Sequence, residues 1–470
     1  MTANPTFFWY DLETFGLNPS YDRIAQFAGQ RTDMNLNPVG DPVVLYCKPS
    51  MDYLPDPLAC LITSITPQET IQKGLPEAEF IEKVNREFSV PNTCVCGFNS
   101  IRFDDEFIRN ALYRNFFDPY EREWKNMNTR WDILDLVRAA HDLRPENISW
   151  PPKNPQNGNP VFKLTELTAA NGIDQTGAHD AMVDVRATIA MARLIKSRIP
   201  RLFSYFFKLR LKSEVKNMIG MPFAEPSLLT CAAFTSPSGC TSLIAPITPS
   251  VSSPNNIICF DLKQDINRLL TADPDSILQT PGIIRVAMNK CPALSPLKIL
   301  TPELEARLGI SRAACMSRYE ELRKHPELTV RIREQEEKAK FDQIDDIDFQ
   351  LYDRFFPDSD RASFGTILAT APSQRLRLNL SFTDKRCPEM LWRHVCRNYP
   401  ETLDPDNMRK WKSFCSSRLL CPPGEIQCDL QFFERKVAER LASNEVTPEG
   451  KAVMQKLREY GASLKSMLFS

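Results

Sequence analysis

Asp11 and Glu13 stand two residues apart in YDLETFG, at the end of a short apolar run from Thr6 to Tyr10. Side chains alternate faces along a strand, so both carboxylates project from one face and Leu12 from the other. Neighbouring acids repel, and a divalent cation relieves them: Mg2+ takes carboxylate oxygens and keeps waters for a substrate phosphate. Asp104 comes next, in GFNSIRFDDEFIRN, where an apolar strand ends at Gly97 and a helix begins. The helix dipole and capping favour an acid at that place in any protein. On its own, Asp104 therefore reads equally well as a helix start. His179 and Asp184 share AHDAMVDVRAT. His179, one of four histidines, lies in a Gly-Ala turn, and Asp184 falls within the first turns of the helix that follows.

Four carboxylates and one imidazole are the donor set of two-metal phosphodiester cleavage, in which ions ~3.5–4 Å apart clamp the attacking and leaving oxygens. In that scheme Asp11, Glu13, Asp104 and Asp184 hold two Mg2+ ions, with Mn2+ as the alternative. His179 takes the proton of the attacking water, a role that suits a side chain titrating near neutrality. Glu13 also holds the terminal 3′ hydroxyl, which fixes a 3′→5′ direction.

The elements that must position these groups read as α/β over residues 1–198. Strands are expected at Thr6 to Tyr10, Ile24 to Arg31, Pro42 to Lys48 and Thr93 to Phe98. Helices are expected at Pro76 to Phe88, Asp105 to Phe116, Asn128 to His141, Leu164 to Asn171 and Asp180 to Arg198. Three antiparallel strands followed by strand and helix alternation suit a ribonuclease-H-like fold, a mixed sheet with helices on both faces. Residues 199–339 change to a Pro-, Ser- and Thr-rich stretch with short apolar runs at Leu228 to Ala233, Thr241 to Ala245 and Asn256 to Leu262, a small β domain that turns helical from Pro302. The segment around Thr248 reads as a loop. Residues 342–470 read as helical, led by DQIDDID, an acidic run expected to be a solvated linker rather than a metal site.

Composition narrows the class without naming a substrate. Hydrophobic residues at 42% and charged residues at 25% are those of an ordinary globular protein. A net charge of −1 gives no bulk attraction to nucleic acid, so any such site has to be local. The fourteen cysteines include no CxxC pair, and MTANPTFFWYDLET lacks a secretion signal. Reduced, mostly buried thiols in a cytoplasmic protein are the expectation. No apolar run is long enough for a membrane span.

The order D-x-E-T, N-x-x-x-F-D, H-x-x-x-x-D resembles the DEDDh exonucleases. YDLETFGLNPSYDRIAQFAGQRTD, GFNSIRFDDEFIRNALYRNFFDPY, ANGIDQTGAHDAMVDVRATIAMARLIK, NKCPALSPLKILTPELEARLGI and LYDRFFPDSDRA resemble the bacterial exonuclease I family within that group. The resemblance covers nearly the whole chain. It implies a DEDDh nuclease domain, an SH3-like β-barrel domain and an α-helical C-terminal domain. It also implies Mg2+-dependent, processive digestion of single-stranded DNA to 5′-mononucleotides, in DNA repair and recombination. The residues alone leave DNA and RNA undistinguished, since the 2′ hydroxyl contact is invisible in a sequence. Another DEDDh enzyme, either a ribonuclease or a proofreading subunit, and a non-catalytic nucleic-acid-binding scaffold are the competing readings.

Between the second and third motifs, aromatic residues alternate with cations at Arg109, Tyr113, Arg114, Tyr120, Trp124 and Arg130. Single-strand binders stack bases on such rings and hold phosphates with such cations, although amphipathic helices with aromatic core residues give the same pattern. The resemblance selects Arg109, Tyr120, Trp124, Arg138, Phe162 and Lys163 as strand contacts. Lys163 departs from the Arg expected there, keeping the charge and losing the bidentate fork. The resemblance also places the acidic tail of single-stranded-DNA-binding protein against Arg144, Tyr205 and Arg323, between the first two domains. A monomer is expected.

Overall fold

The structure, a computed structural model, describes residues 4–177, 180–338 and 344–469. Strand β1 (Thr6–Thr14) runs past its expected end at Tyr10 and through both acids. Its alternation is strict: Phe7 and Trp9 enter one core, and Phe8, Tyr10 and Leu12 enter another on the opposite face. β1 pairs antiparallel with β2 (Ile24–Thr32), and β2 pairs with β3 (Val43–Tyr46). On its other side β1 pairs parallel with β4 (Thr93–Gly97), which pairs with β5 (Thr129–Asp132). The order β3-β2-β1-β4-β5 puts β1 in the middle. Helices Glu77–Phe88 and Asp104–Arg114 cover the Phe8 face, and helix Ala181–Arg198 covers the Phe7 face. This is the expected ribonuclease-H-like arrangement.

One expected helix is wrong. Asn128 to His141 is strand β5 followed by helix Leu134–Leu143. The apolar spacing is helical, but pairing with β4 buries Trp131 in the sheet, and tertiary burial overrides local periodicity.

The second unit is a five-stranded antiparallel sheet in the order β10-β6-β7-β8-β9. Its strands are β6 (Ser227–Thr230), β7 (Thr241–Pro249), β8 (Asn256–Asp261), β9 (Ile283–Ala287) and β10 (Ala293–Pro296). Thr248, expected in a loop, is buried within β7 opposite Ile258. The sheet absorbs Pro246 through a register shift between Pro246 and Thr248, the usual way a proline is accommodated in a ladder. The third unit is helical, from Asp358–Ala369 to Pro448–Phe469. Twelve of the fourteen cysteines are buried. Among the described residues no helix is long and apolar enough to cross a membrane.

The acidic run before the third unit is not a solvated linker where it is described. Asp348 is 2% exposed. Arg397 donates to its two oxygens at 2.9 and 2.6 Å, and Arg418 donates to one of them at 2.9 Å. Arg397 also donates to the fully buried Asp52 of the first unit at 2.8 Å. Asp346 accepts from Arg393 and Arg418. Burial pushes the Asp52 and Asp348 carboxyls up, but Arg397 and Arg418 outweigh it and hold both below the usual carboxylate range. This buried cluster fastens the helical unit to the nuclease-like sheet.

Removing one partner from such a cluster strands the others. Asp348→Asn is expected to cost about 3–5 kcal/mol of stability in urea unfolding, whereas exposed Asp345→Asn is expected to stay within about 0.5 kcal/mol. The pH sign follows from the depressed values. The stabilisation from Asp52 and Asp348 is complete above the ordinary carboxylate pKa of about 4 and is lost as pH falls through the folded-state values. Equal stabilities for the two variants would contradict this account.

Candidate active site

Beyond the pair Trp9 and Cys96, β4 gives out while β1 continues. Gly97 turns the chain away, and a Cβ there would meet Ser100 at 2.5 Å. Asp132, at the end of β5, organises this turn by accepting from the Asn99 and Ile101 N–H groups at 2.9 and 3.1 Å. The turn delivers Asp104 to the start of its helix, where Oδ1 accepts from the Leu12 N–H at 3.1 Å. A backbone donor that β4 no longer reaches is thus satisfied by a carboxylate.

On the other edge the β1–β2 register shifts between Glu13 and Thr14, leaving Glu13 opposite Gln26. Gln26 Oε1 accepts from the Ala181 N–H at 3.2 Å, and Asp180 caps Met182 at 2.9 Å. Helix Ala181–Arg198 therefore starts against β2 beside Glu13, and Asp184 sits in its first turn. Asp11, Glu13 and Asp184 each bring a carboxylate oxygen within 4.8 Å of the others. Asp104 is not one of this trio, but its charge acts on Asp11. His179 lies outside the described residues.

Burial and mutual repulsion dominate the electrostatics of these acids. Burial, then the charges of Asp104 and Asp184, push the Asp11 carboxyl well up. Burial, then Asp11, Asp184 and Asp180, push Glu13 up to about 9. Burial and Asp105 push Asp104 up. Hard, crowded oxygen donors of this kind fit a divalent cation such as Mg2+.

Asp105 behaves oppositely to its neighbour. It accepts from Tyr10 Oη at 2.6 Å, Arg122 Nη2 at 2.7 Å and Arg130 Nη1 at 2.7 Å. Burial raises its pKa, but Arg122, Arg130 and Arg109 outweigh that and hold it below the usual range. The adjacent acids divide the work: Asp105 locks the helix start to β1 and β5, and Asp104 faces Asp11. The signal for Asp105 in the sequence was the doubled aspartate; Gln26 and Asp132 carried none.

The residues expected to meet a strand fall into groups. Trp124 is 64% exposed. Tyr120 lies over the Arg109 guanidinium, 5.4 Å from its ring centre. Arg109 itself is buried, donating to Glu123 at 2.8 and 3.0 Å and to Glu106 at 2.9 Å. Arg138 lies 5.9 Å from the Phe162 ring, and the adjoining Lys163 is exposed. Tyr113, Arg114 and Arg130 belong to the interior instead: Tyr113 donates to the Ile347 carbonyl, Arg114 pairs with Glu77 and Arg130 pairs with Asp105. Of the residues expected to meet an acidic tail, Arg144 and Arg323 are exposed cations. Tyr205 is a half-buried ring whose hydroxyl lies 3.5 Å from the Met218 sulfur.

Comparison with known proteins places this site in a family context. The chain matches the exonuclease model over residues 8–192, the exonuclease I SH3-like domain over 210–337 and the exonuclease I C-terminal domain over 345–464. It is 43% identical over 420 residues to exodeoxyribonuclease I of Escherichia coli K12, covering 86% of this chain and 88% of that protein. It is 40% identical over 481 residues to the Haemophilus influenzae enzyme, covering 99% and 100%. The solved structure of E. coli exonuclease I with a dA16 oligonucleotide superposes with a TM-score of 0.93 at 40% identity, covering 98% of this chain and 100% of that one. A structure of SSB/exonuclease I with an inhibitor superposes at 0.91 with 40% identity and the same coverage. A zinc-bound E. coli complex with single-stranded DNA superposes at 0.91 with 39% identity and the same coverage.

The split between Asp104 and Asp105 gives a prediction of opposite sign at adjacent positions. In EDTA, Asp104→Asn removes an acid that burial and Asp105 disfavour in its charged form and is expected to raise the melting temperature. Asp105→Asn strands two buried arginines and is expected to cost about 3–5 kcal/mol. Thermal unfolding of the two variants checks both signs, and a destabilised Asp104→Asn would contradict the electrostatic reading.

Proposed function

The chain belongs to the bacterial exonuclease I family, and on that premise we propose that Asp11, Glu13, Asp104, His179 and Asp184 use two Mg2+ ions to hydrolyse single-stranded DNA from its 3′ end. The enzyme is an exodeoxyribonuclease that releases 5′-mononucleotides, acting in DNA repair and recombination. The observation that carries the reading is the convergence of Asp11, Glu13 and Asp184 at the end of β1. When bound, the ions supply an acidified water and positive charge at the leaving 3′ oxygen. Asp11, Glu13, Asp104 and Asp184 would hold the ions, the first, second and fourth already sharing one cluster of carboxylate oxygens. His179 takes the proton of the attacking water, and Glu13 orients the terminal 3′ hydroxyl.

Upstream of the terminal nucleotide, Trp124 and Tyr120 offer exposed and half-exposed rings on which bases stack without regard to sequence. Phe162 with Arg138, and Lys163 beside them, form a second ring-and-cation contact. Arg109, engaged by two glutamates, serves as the support beneath Tyr120. A strand held at several such places can advance without dissociating, which is the basis for processive digestion by a monomer in the cytoplasm. The acidic tail of single-stranded-DNA-binding protein docks on Arg144, Tyr205 and Arg323, where two exposed cations and a half-buried ring suit an acidic tail with an apolar tip.

Release of labelled nucleotide from single-stranded DNA tests the reading. Hydrolysis is expected from 3′-labelled ends, abolished by EDTA and restored by Mg2+. Asp11→Ala or Asp184→Ala is expected to lower the rate by more than about a hundredfold, beyond the usual loss for an outer-shell change. Equal hydrolysis of an RNA strand would favour a ribonuclease, and EDTA-resistant binding with no hydrolysis would favour a scaffold. In a separate titration with an acidic tail peptide, Arg144→Ala and Tyr205→Ala are each expected to weaken binding by about tenfold, as truncated interface anchors do. Undiminished affinity would remove that partner site.

A further inference from the structure

Gln175 lies in the connection between helix Leu164–Ala170 and helix Ala181–Arg198, half-buried and outside all five proposed site positions. Its amide Nε2 donates to Asp184 Oδ1 at 2.6 Å. Its Oε1 accepts from the Thr168 hydroxyl at 2.7 Å. Thr168 is 1% exposed and sits in the helix that starts directly after Lys163. Thr168 Oγ1 also lies 2.9 Å from the Leu164 and Thr165 carbonyls, with Gln175 Oε1 its nearest acceptor, and the donating end of the amide meets the carboxylate that shares a 4.8 Å cluster with Asp11 and Glu13.

We propose that Gln175 is a positioning residue for the metal site: through Thr168–Gln175–Asp184 it sets the rotation of the Asp184 carboxylate so that an oxygen meets those of Asp11 and Glu13. The physical case is one of degrees of freedom. Asp184 stands on a helix, and a carboxylate torsion has a broad energy profile, which the Gln175 hydrogen bond narrows. A neutral amide donor holds it without adding charge, where a cation would compete with the metal. Hydrogen bonds to ligating carboxylates from an outer shell act in this way, and their removal typically costs about 10–100-fold in metal affinity or activity. The same relay ties the Asp184 carboxylate to the helix that begins beside Lys163 and Phe162, so strand contacts and metal ligand share one scaffold.

The inference rests on the reading of the trio as a metal site, and the experiment separates the two. Calorimetric titration of Mn2+ into the DNA-free full-length protein is compared for wild type, Gln175→Leu and Thr168→Val. Gln175→Leu is expected to weaken binding about 10–100-fold, with Thr168→Val weakened in the same direction by less. Activity is expected to need correspondingly more Mg2+ and to approach the wild-type rate at saturating metal, with KM for DNA unchanged. The metal-free melting temperature is expected to stay put, since a merely structural role would move it and leave the metal requirement alone. Wild-type affinity in both variants would overturn the proposal while leaving the metal site standing. Absence of saturable Mn2+ binding in wild type would overturn both. Should Gln175→Leu fail to fold, Thr168→Val carries the test alone.

Discussion

Mutual repulsion among carboxylates that the backbone forces into one poorly solvated corner governs this molecule. Asp11 and Glu13 share a face because β1 stays extended past the end of β4, and Asp184 meets them because the Ala181–Arg198 helix packs on that face. Without a cation the corner is unfavourable, as the raised carboxyl pKa values of Asp11, Glu13 and Asp104 register. A fold that keeps such a corner has to hold it by interactions stronger than the repulsion. The Leu12–Asp104 and Gln26–Ala181 hydrogen bonds and the arginines on Asp105 are those interactions.

The same logic is repeated away from the site with opposite sign. At the seam between the sheet and the helical unit, arginines outweigh the burial of Asp52 and Asp348, and the acids are held ionised. Compensated charge therefore serves as structural adhesive, and uncompensated charge marks the proposed metal site. The contrast between Asp105 and Asp104, adjacent in the chain, shows both uses within one turn of helix.

What could be read from the sequence follows the range of the forces involved. Asp11 and Glu13 were legible because strand alternation is local, and Asp184 because its helix was strongly patterned. The three antiparallel strands followed from the same patterns. The role of DQIDDID was misread because the partners that bury Asp348, Arg397 and Arg418, lie far along the chain. Asn128 to His141 was misread because Trp131 is spaced like a helical residue while its pairing with β4 is a long-range fact. Thr248 looked like loop because a register shift that accommodates Pro246 has no sequence signature. Gln26 and Gln175 are neutral amides whose importance lies wholly in what they touch.

The claim that the β1 corner is a paired-cation site is tested most directly by diffraction. Crystals grown with Mn2+ and a single-stranded oligonucleotide carrying a non-hydrolysable terminal linkage would be measured at the manganese absorption edge. The account predicts two anomalous peaks ~3.5–4 Å apart against the carboxylates of Asp11, Glu13, Asp104 and Asp184, beside the terminal linkage. Ordered manganese elsewhere, or none against these four carboxylates while the oligonucleotide is clearly bound, would contradict it.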